Sequence, residues 1–215
     1  MKPLYYFIVH IPKAVNDTIK VGESELYLDS KFNEFQHRAH EGEVVGIPLK
    51  YNTGVDIGDT LYFHHHVVLG GNHLVYNGQQ LNENKDRRGQ LVDGEQGLYY
   101  VTYDGGNDPF VCQAYAHKSK KSGKVKILGE WIFLTPAEQD AELKSDVLEL
   151  VQKEKEYNQY GYIRYGSPKL EELGLHEGDK VFFMKNADYL MEVDGEKLYR
   201  VYLQHIYAKI TEEVW

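Results

Sequence analysis

"VDIGDTLYFHH" (55–65) has an echo in "LHEGDKVFFMK" (175–185), 120 residues further on. Each holds a Gly-Asp turn followed by an apolar run, as expected where a tight turn feeds a strand. The echo extends on both sides. "EGEVVGIP" (41–48) answers "YGYIRYGSP" (160–168), and "FIVHIPK" (7–13) answers "EWIFLTP" (130–136). "VDGEQGLYYVTY" (92–103) answers "VDGEKLYRVYLQ" (193–204), and "QAYAHK" (113–118) answers "HIYAKI" (205–210). The chain therefore reads as two copies of one β-unit. The later offsets shrink toward 100, which places an insertion in the first copy at about 70–92, a stretch rich in Gly, Asn and charge. The predicted domains are 1–118 and 125–215, joined through the basic segment "HKSKKSGKVK" (117–126).

Most of the 215 residues fall into short apolar runs between turn signals, the pattern of a sandwich or small barrel. Tyrosine, with 18 residues, suits half-buried pleated surfaces. One stretch reads differently. "TPAEQDAELKSDVLELVQKEKE" (135–156) offers Thr135 as a helix cap, Pro136 at the first helical position and Glu138 three residues after the cap. Leu143, Val147, Leu150 and Val151 follow as one apolar stripe, so an amphipathic helix is predicted over about 136–155.

Composition excludes several function classes. A net charge of −9 argues against a nucleic-acid partner, which needs clustered Lys and Arg. Cys112 is the only cysteine, so neither an internal disulfide nor a zinc–thiolate cluster can form, and a cytoplasmic location is expected. No apolar run approaches the ~20 residues that span a bilayer. The opening "MKPLYYFIVHIPK" reads as a first strand and not as a signal peptide. Nucleophile elbow, P-loop and H-E-x-x-H motifs are missing, so an enzyme is not expected. No cofactor is expected either.

Read in order, each copy resembles the GroES-type co-chaperonins. The resemblance rests on an opening strand, a long loop, a "GEVV"-like strand (42–45), the G-D-x-V-x-F strand seen in "GDKVFF" (178–183), and a strand pair closing on an aliphatic end. It covers the second copy from 174 to 210 almost without gaps, and the first copy in pieces. It implies a mainly β fold of two tandem small barrels, the helix of 136–155 lying in the loop of the second. It also implies self-association into a ring that caps a GroEL-like chaperonin and assists protein folding. Contact would be made by a loop that orders on the chaperonin's apical domains. The matching apolar tripeptides are Leu26, Tyr27 and Leu28 in the first copy, and Leu148, Glu149 and Leu150 in the second. Neither copy has the Gly pair that usually precedes the tripeptide. A ring-forming structural protein, for example of a virion, built on the same barrel without chaperonin binding, is the alternative.

His64, His65 and His66 interrupt the first G-D strand, where the second copy has Met184, Lys185 and Asn186. Alternation along a continuous strand would send His64 and His66 one way and His65 the other. The expectation is thus no functional metal site, and at most an adventitious one from His64 and His66 with His73.

Overall fold

The computed structural model describes residues 2–13, 18–21, 24–27, 38–68, 90–93, 97–109, 111–137 and 159–211. Its strands are β1 (Tyr6–His10), β2 (Thr18–Val21), β3 (Ser24–Tyr27), β4 (Glu41–Gly46), β5 (Thr60–Phe63), β6 (Gln90–Asp93), β7 (Leu98–Thr102), β8 (Ala114–Lys118) and β9 (Val125–Ile127). The second half holds β10 (Trp131–Pro136), β11 (Tyr160–Gly166), β12 (Lys180–Phe183), β13 (Tyr189–Val193), β14 (Glu196–Tyr202) and β15 (Ile206–Lys209). A one-turn helix, Lys169–Glu172, lies between β11 and β12.

The repeat is present in the topology. The first sheet runs β6-β7-β1-β4-β5-β8-β9 and the second β13-β14-β10-β11-β12-β15. Each strand of the second sheet occupies the place of its counterpart in the first, and β9 alone has none. Irregularities repeat as well. A bulge interrupts β1–β4 between Ile8 and Val9, and another interrupts β10–β11 between Phe133 and Leu134. A second pair falls between Tyr62 and Phe63 and between Phe182 and Phe183. An extra residue bends a strand and re-aims its side chains, so bulges at matching positions give both halves the same curvature.

The G-D turn is built the same way twice. Gly58 has φ 87° and Gly178 φ 88°. The Gly58 N–H donates to Val44 O and the Gly178 N–H to Ile163 O. Asp59 Oδ2 accepts from the Asp56 N–H at 3.0 Å, and Asp179 Oδ2 from the His176 N–H at 2.8 Å. Each Asp then reaches a base on the neighbouring strand. Asp59 meets His117 Nδ1 at 3.0 Å on β8, and Asp179 meets Lys209 Nζ at 2.7 Å on β15.

Three expectations are refined. The described strands leave both sheets open, with β6, β9, β13 and β15 at their edges, so the architecture is two repeated antiparallel sheets rather than two closed barrels. The basic segment is a hairpin turn inside the first sheet: Lys118 pairs with Val125, and the second sheet begins only at Trp131. Thr135 and Pro136 are not a helix start. They end β10, paired with Tyr162 and Gly161. The rest of the predicted helix, 138–155, and most of the insertion, 70–89, lie outside the described residues.

The core has three parts. Phe7, Val9, Val44, Leu61, Phe63 and Val101 fill the first half. Ile132, Leu134, Ile163, Val181, Phe183 and Val201 fill the second. Between them, Tyr62, Tyr115 and Ala116 pack on Trp131, Phe133, Met191, Val193, Leu198 and Tyr202. This explains why "TLYF" and "WIFL" read as unbroken apolar runs. Their odd and even residues face different cores, so alternation is lost where both faces are buried.

Where the halves join, two glycines touch. Gly106 and Gly129 have φ of 80° and 79°. A Cβ on Gly106 would lie 2.5 Å from Gly129 Cα, which is backbone and cannot swing aside. Gly106→Ala is expected to cost roughly 2–4 kcal/mol, from φ strain and overpacking together. Urea unfolding of the variant beside Gly123→Ala checks this: Gly123 also has positive φ (68°) but open space around it, so it should lose only the strain share.

Candidate functional surfaces at the junction and the open ends

Strand β5 ends at Phe63, and the chain turns into a 3₁₀ segment, His65–Val68. The His64 N–H donates to Gln113 O on the approach to β8, which fixes the start of this turn. The turn cancels the alternation expected of an extended strand. All three imidazoles come together, with one ring nitrogen from each lying within 4.8 Å of the others. Ring centroids are 4.1 Å apart for His64 and His66, and 4.3 Å for His64 and His65. The expectation that the three cannot meet is therefore corrected. His73 lies outside the described residues.

Both halves supply the surroundings, the His40 ring of the first half lying 6.1 Å from that of His65. Tyr189 of β13 stacks on His65 at 5.4 Å and 15°, and on His64 at 5.2 Å and 20°. Its hydroxyl is hydrogen-bonded to His65 Nδ1. The His66 N–H donates to His64 Nδ1 at 3.1 Å. Burial first, and the neighbouring imidazoles second, push the pKa of His64 down to about 2 and that of His65 down to about 3. Both rings are neutral at physiological pH. Burial likewise drives the Tyr189 phenol pKa well above its ordinary value, so it stays protonated.

A cavity of about 330 Å³ opens beside the cluster. His64, His66 and Gln113 line it from the first half, and Asn186, Arg200 and His205 from the second. Arg200 closes one side. Its guanidinium lies over Trp131 at 4.4 Å, Tyr115 at 4.6 Å and Tyr189 at 5.0 Å, and it donates to the Tyr115 hydroxyl. Such a cation in a cage of rings ties the halves together. The buried Cys112 thiol also borders the cavity, and burial pushes its pKa up to about 12, so it is no nucleophile. Neither Arg200 nor this cavity was visible in the sequence, because both require pairing across the two halves.

The junction has a direction. It joins the β5/β8 face of the first half to the β10/β13/β14 face of the second. Among the described residues, the matching faces at the two outer ends each carry exposed aromatic rings. In the second half Phe182 and Tyr207 stand where Tyr62 and Tyr115 stand in the first. Tyr207 is 61% exposed, whereas Tyr115 is 2% exposed. Tyr160, Phe182 and Tyr207 form a run of ring contacts at 5.2 and 5.8 Å. In the first half Tyr6 and Tyr100 take the places of Trp131 and Arg200, touch at 5.6 Å, and leave Tyr6 40% exposed.

Of the loop tripeptides, Leu26 and Tyr27 lie in β3, where they pair with Ile19 and Thr18 of β2. This hairpin forms a two-stranded sheet of its own and does not extend the seven-stranded one. Leu28, Leu148, Glu149 and Leu150 lie outside the described residues. Among the described residues no helix is long and apolar enough to cross a membrane. No family model matches the chain, and no curated protein sequence matches it.

Proposed function

We propose that the protein assembles head-to-tail into a ring and acts as a co-chaperonin, capping a GroEL-like chaperonin by binding rather than by catalysis. The observation that carries this reading is the polarity of the internal junction. Two different faces of the repeated unit meet inside the chain, and among the described residues the remaining copy of each is exposed in part at its ends. A second chain can repeat the contact, setting its Tyr6/Tyr100 face on the Tyr160/Phe182/Tyr207 face of the first. Heterologous contacts of this kind propagate, and they close into a ring when the rotation per step permits. The β2–β3 hairpin, separate from the main sheets and carrying Leu26 and Tyr27, is the segment proposed to dock on the apical domains.

Two measurements test the reading. Native mass spectrometry is expected to give a discrete oligomer, and Tyr207→Glu is expected to shift it to the single chain. A monomeric wild-type protein would refute the ring. Binding to a chaperonin in the presence of nucleotide is expected for the wild type. It should fall roughly tenfold or more in Leu26→Ser/Leu28→Ser, because several weak loop contacts are multiplied by the ring. An intact ring with no chaperonin complex would instead favour the structural, virion-type reading.

A further inference from the structure

We propose that His64, His65 and His66 form a binding site for one divalent transition-metal ion, zinc being the best match, at the junction of the two halves. Three features carry this. The first is convergence. Neutral imidazole is the commonest protein ligand for such ions, and three of them present ring nitrogens within 4.8 Å of one another. In a tetrahedral zinc site with Zn–N near 2.0–2.1 Å, ligand nitrogens stand about 3.4 Å apart. The widest spacing here must therefore close by about 1.4 Å, which ring rotations about χ2 can supply.

The second feature is support. A ligating histidine ordinarily has its other ring nitrogen held by a hydrogen bond, which sets its tautomer and orientation. Here His65 Nδ1 is held by the Tyr189 hydroxyl, and the His64 and His65 rings both lie against the Tyr189 ring. With Nδ1 donating to Tyr189, His65 ligates through Nε2. His64 gives up its single bond from the His66 N–H, or turns its ring over, on loading.

The third is access. His65 is buried, but His64 and His66 border the open cavity, which leaves a path for the ion and room for water at a fourth position. Three imidazoles with a fourth position open suit zinc, copper or nickel better than the hard oxygen-seeking ions. Because Tyr189 belongs to the second half, a loaded site would hold the two halves together. It is a property of the first copy alone, since the second has Met184, Lys185 and Asn186 at these positions.

The test uses the full chain without a histidine tag, stripped with a chelator and titrated with Zn²⁺ and with Co²⁺. One equivalent of Zn²⁺ is expected to bind at low micromolar Kd or tighter, and Co²⁺ to give the visible absorption of a four-coordinate ion. At a hundredfold excess of Zn²⁺ over Kd, Tm should rise by roughly 5–10 °C. His66→Gln, at a half-buried position, should weaken binding at least roughly tenfold. The His64→Gln/His66→Gln variant should abolish the Co²⁺ signal and the rise in Tm. Melting in chelator shows whether each variant keeps the fold. Absence of stoichiometric binding by the wild type overturns the proposal. So does binding that survives in the folded double variant, which would place the ion on other histidines.

Discussion

Trp131→Ala is expected to destabilise the protein by about 3–5 kcal/mol, the range for removing a large buried ring from a packed core. Trp131 is 5% exposed and stands at the centre of the junction. Its ring meets Tyr115 of the first half at 4.8 Å and Tyr202 of the second at 5.2 Å, both edge-to-face. It also carries the closest of the three ring contacts to Arg200. Truncation would merge the vacated volume with the adjoining cavity and leave the guanidinium without one wall of its cage. Neighbours on two separate sheets cannot collapse into the gap without shearing the halves, which favours the upper part of the range. Urea unfolding at neutral pH checks the magnitude. The transition should also broaden or split as the halves lose their coupling. Tyr207→Ala is the matched control. Tyr207 occupies the place of Tyr115 but is exposed, so stability of the single chain should change by no more than ~0.5 kcal/mol. A loss below 1 kcal/mol for Trp131→Ala would mean that the junction does not bear on folding stability.

What could be read in the sequence depended on whether a feature was local. The Gly-Asp turn is made by neighbouring residues, so its recurrence at 58–59 and 178–179 exposed the repeat. The strand order bears that repeat out. Barrel closure depends on which edges meet, and the described sheets are open. At 135–136 two local rules competed. Thr followed by Pro is a good helix start, yet strand pairing with Tyr162 and Gly161 prevails, and a proline is tolerated there because β14 pairs with β10 only as far as Leu134, which leaves Pro136 with a partner strand on one side alone. The histidines misled for the opposite reason. Alternation held only while the strand continued, and the strand stops one residue before them. The junction itself left one trace, the loss of alternation in "TLYF" and "WIFL", which alone does not say what covers the second face. The bases that answer Asp59 and Asp179 lie far along the chain, where no local pattern ties them to the turn.

Those two aspartates support the sharpest comparison, because one turn is built twice with different burial. Asp59 is 1% exposed, and it accepts from the Asp56 N–H, from the Lys120 N–H at 2.9 Å and from His117. Asp59→Ala leaves all three partners without their acceptor at a position 1% exposed, and a cost of about 3–5 kcal/mol is expected. Asp179→Ala removes a comparable set, the His176 N–H and Lys209, but both remaining partners can turn to solvent. About 1 kcal/mol is expected there. The pH dependence follows from the same contacts. Burial by itself would raise the Asp59 pKa, but the two backbone N–H groups and His117 outweigh it and hold the carboxyl below its ordinary 3.8. A folded-state pKa below the unfolded one gives stability that is complete above the unfolded value and is lost as pH falls through the folded value. The gap between wild type and Asp59→Ala should therefore be full at pH 7 and should narrow below about pH 4. Unfolding free energies of both variants at pH 7 and pH 3 decide the matter. Equal costs for the two substitutions would show that the turn's geometry, and not its burial beneath β8, sets the contribution.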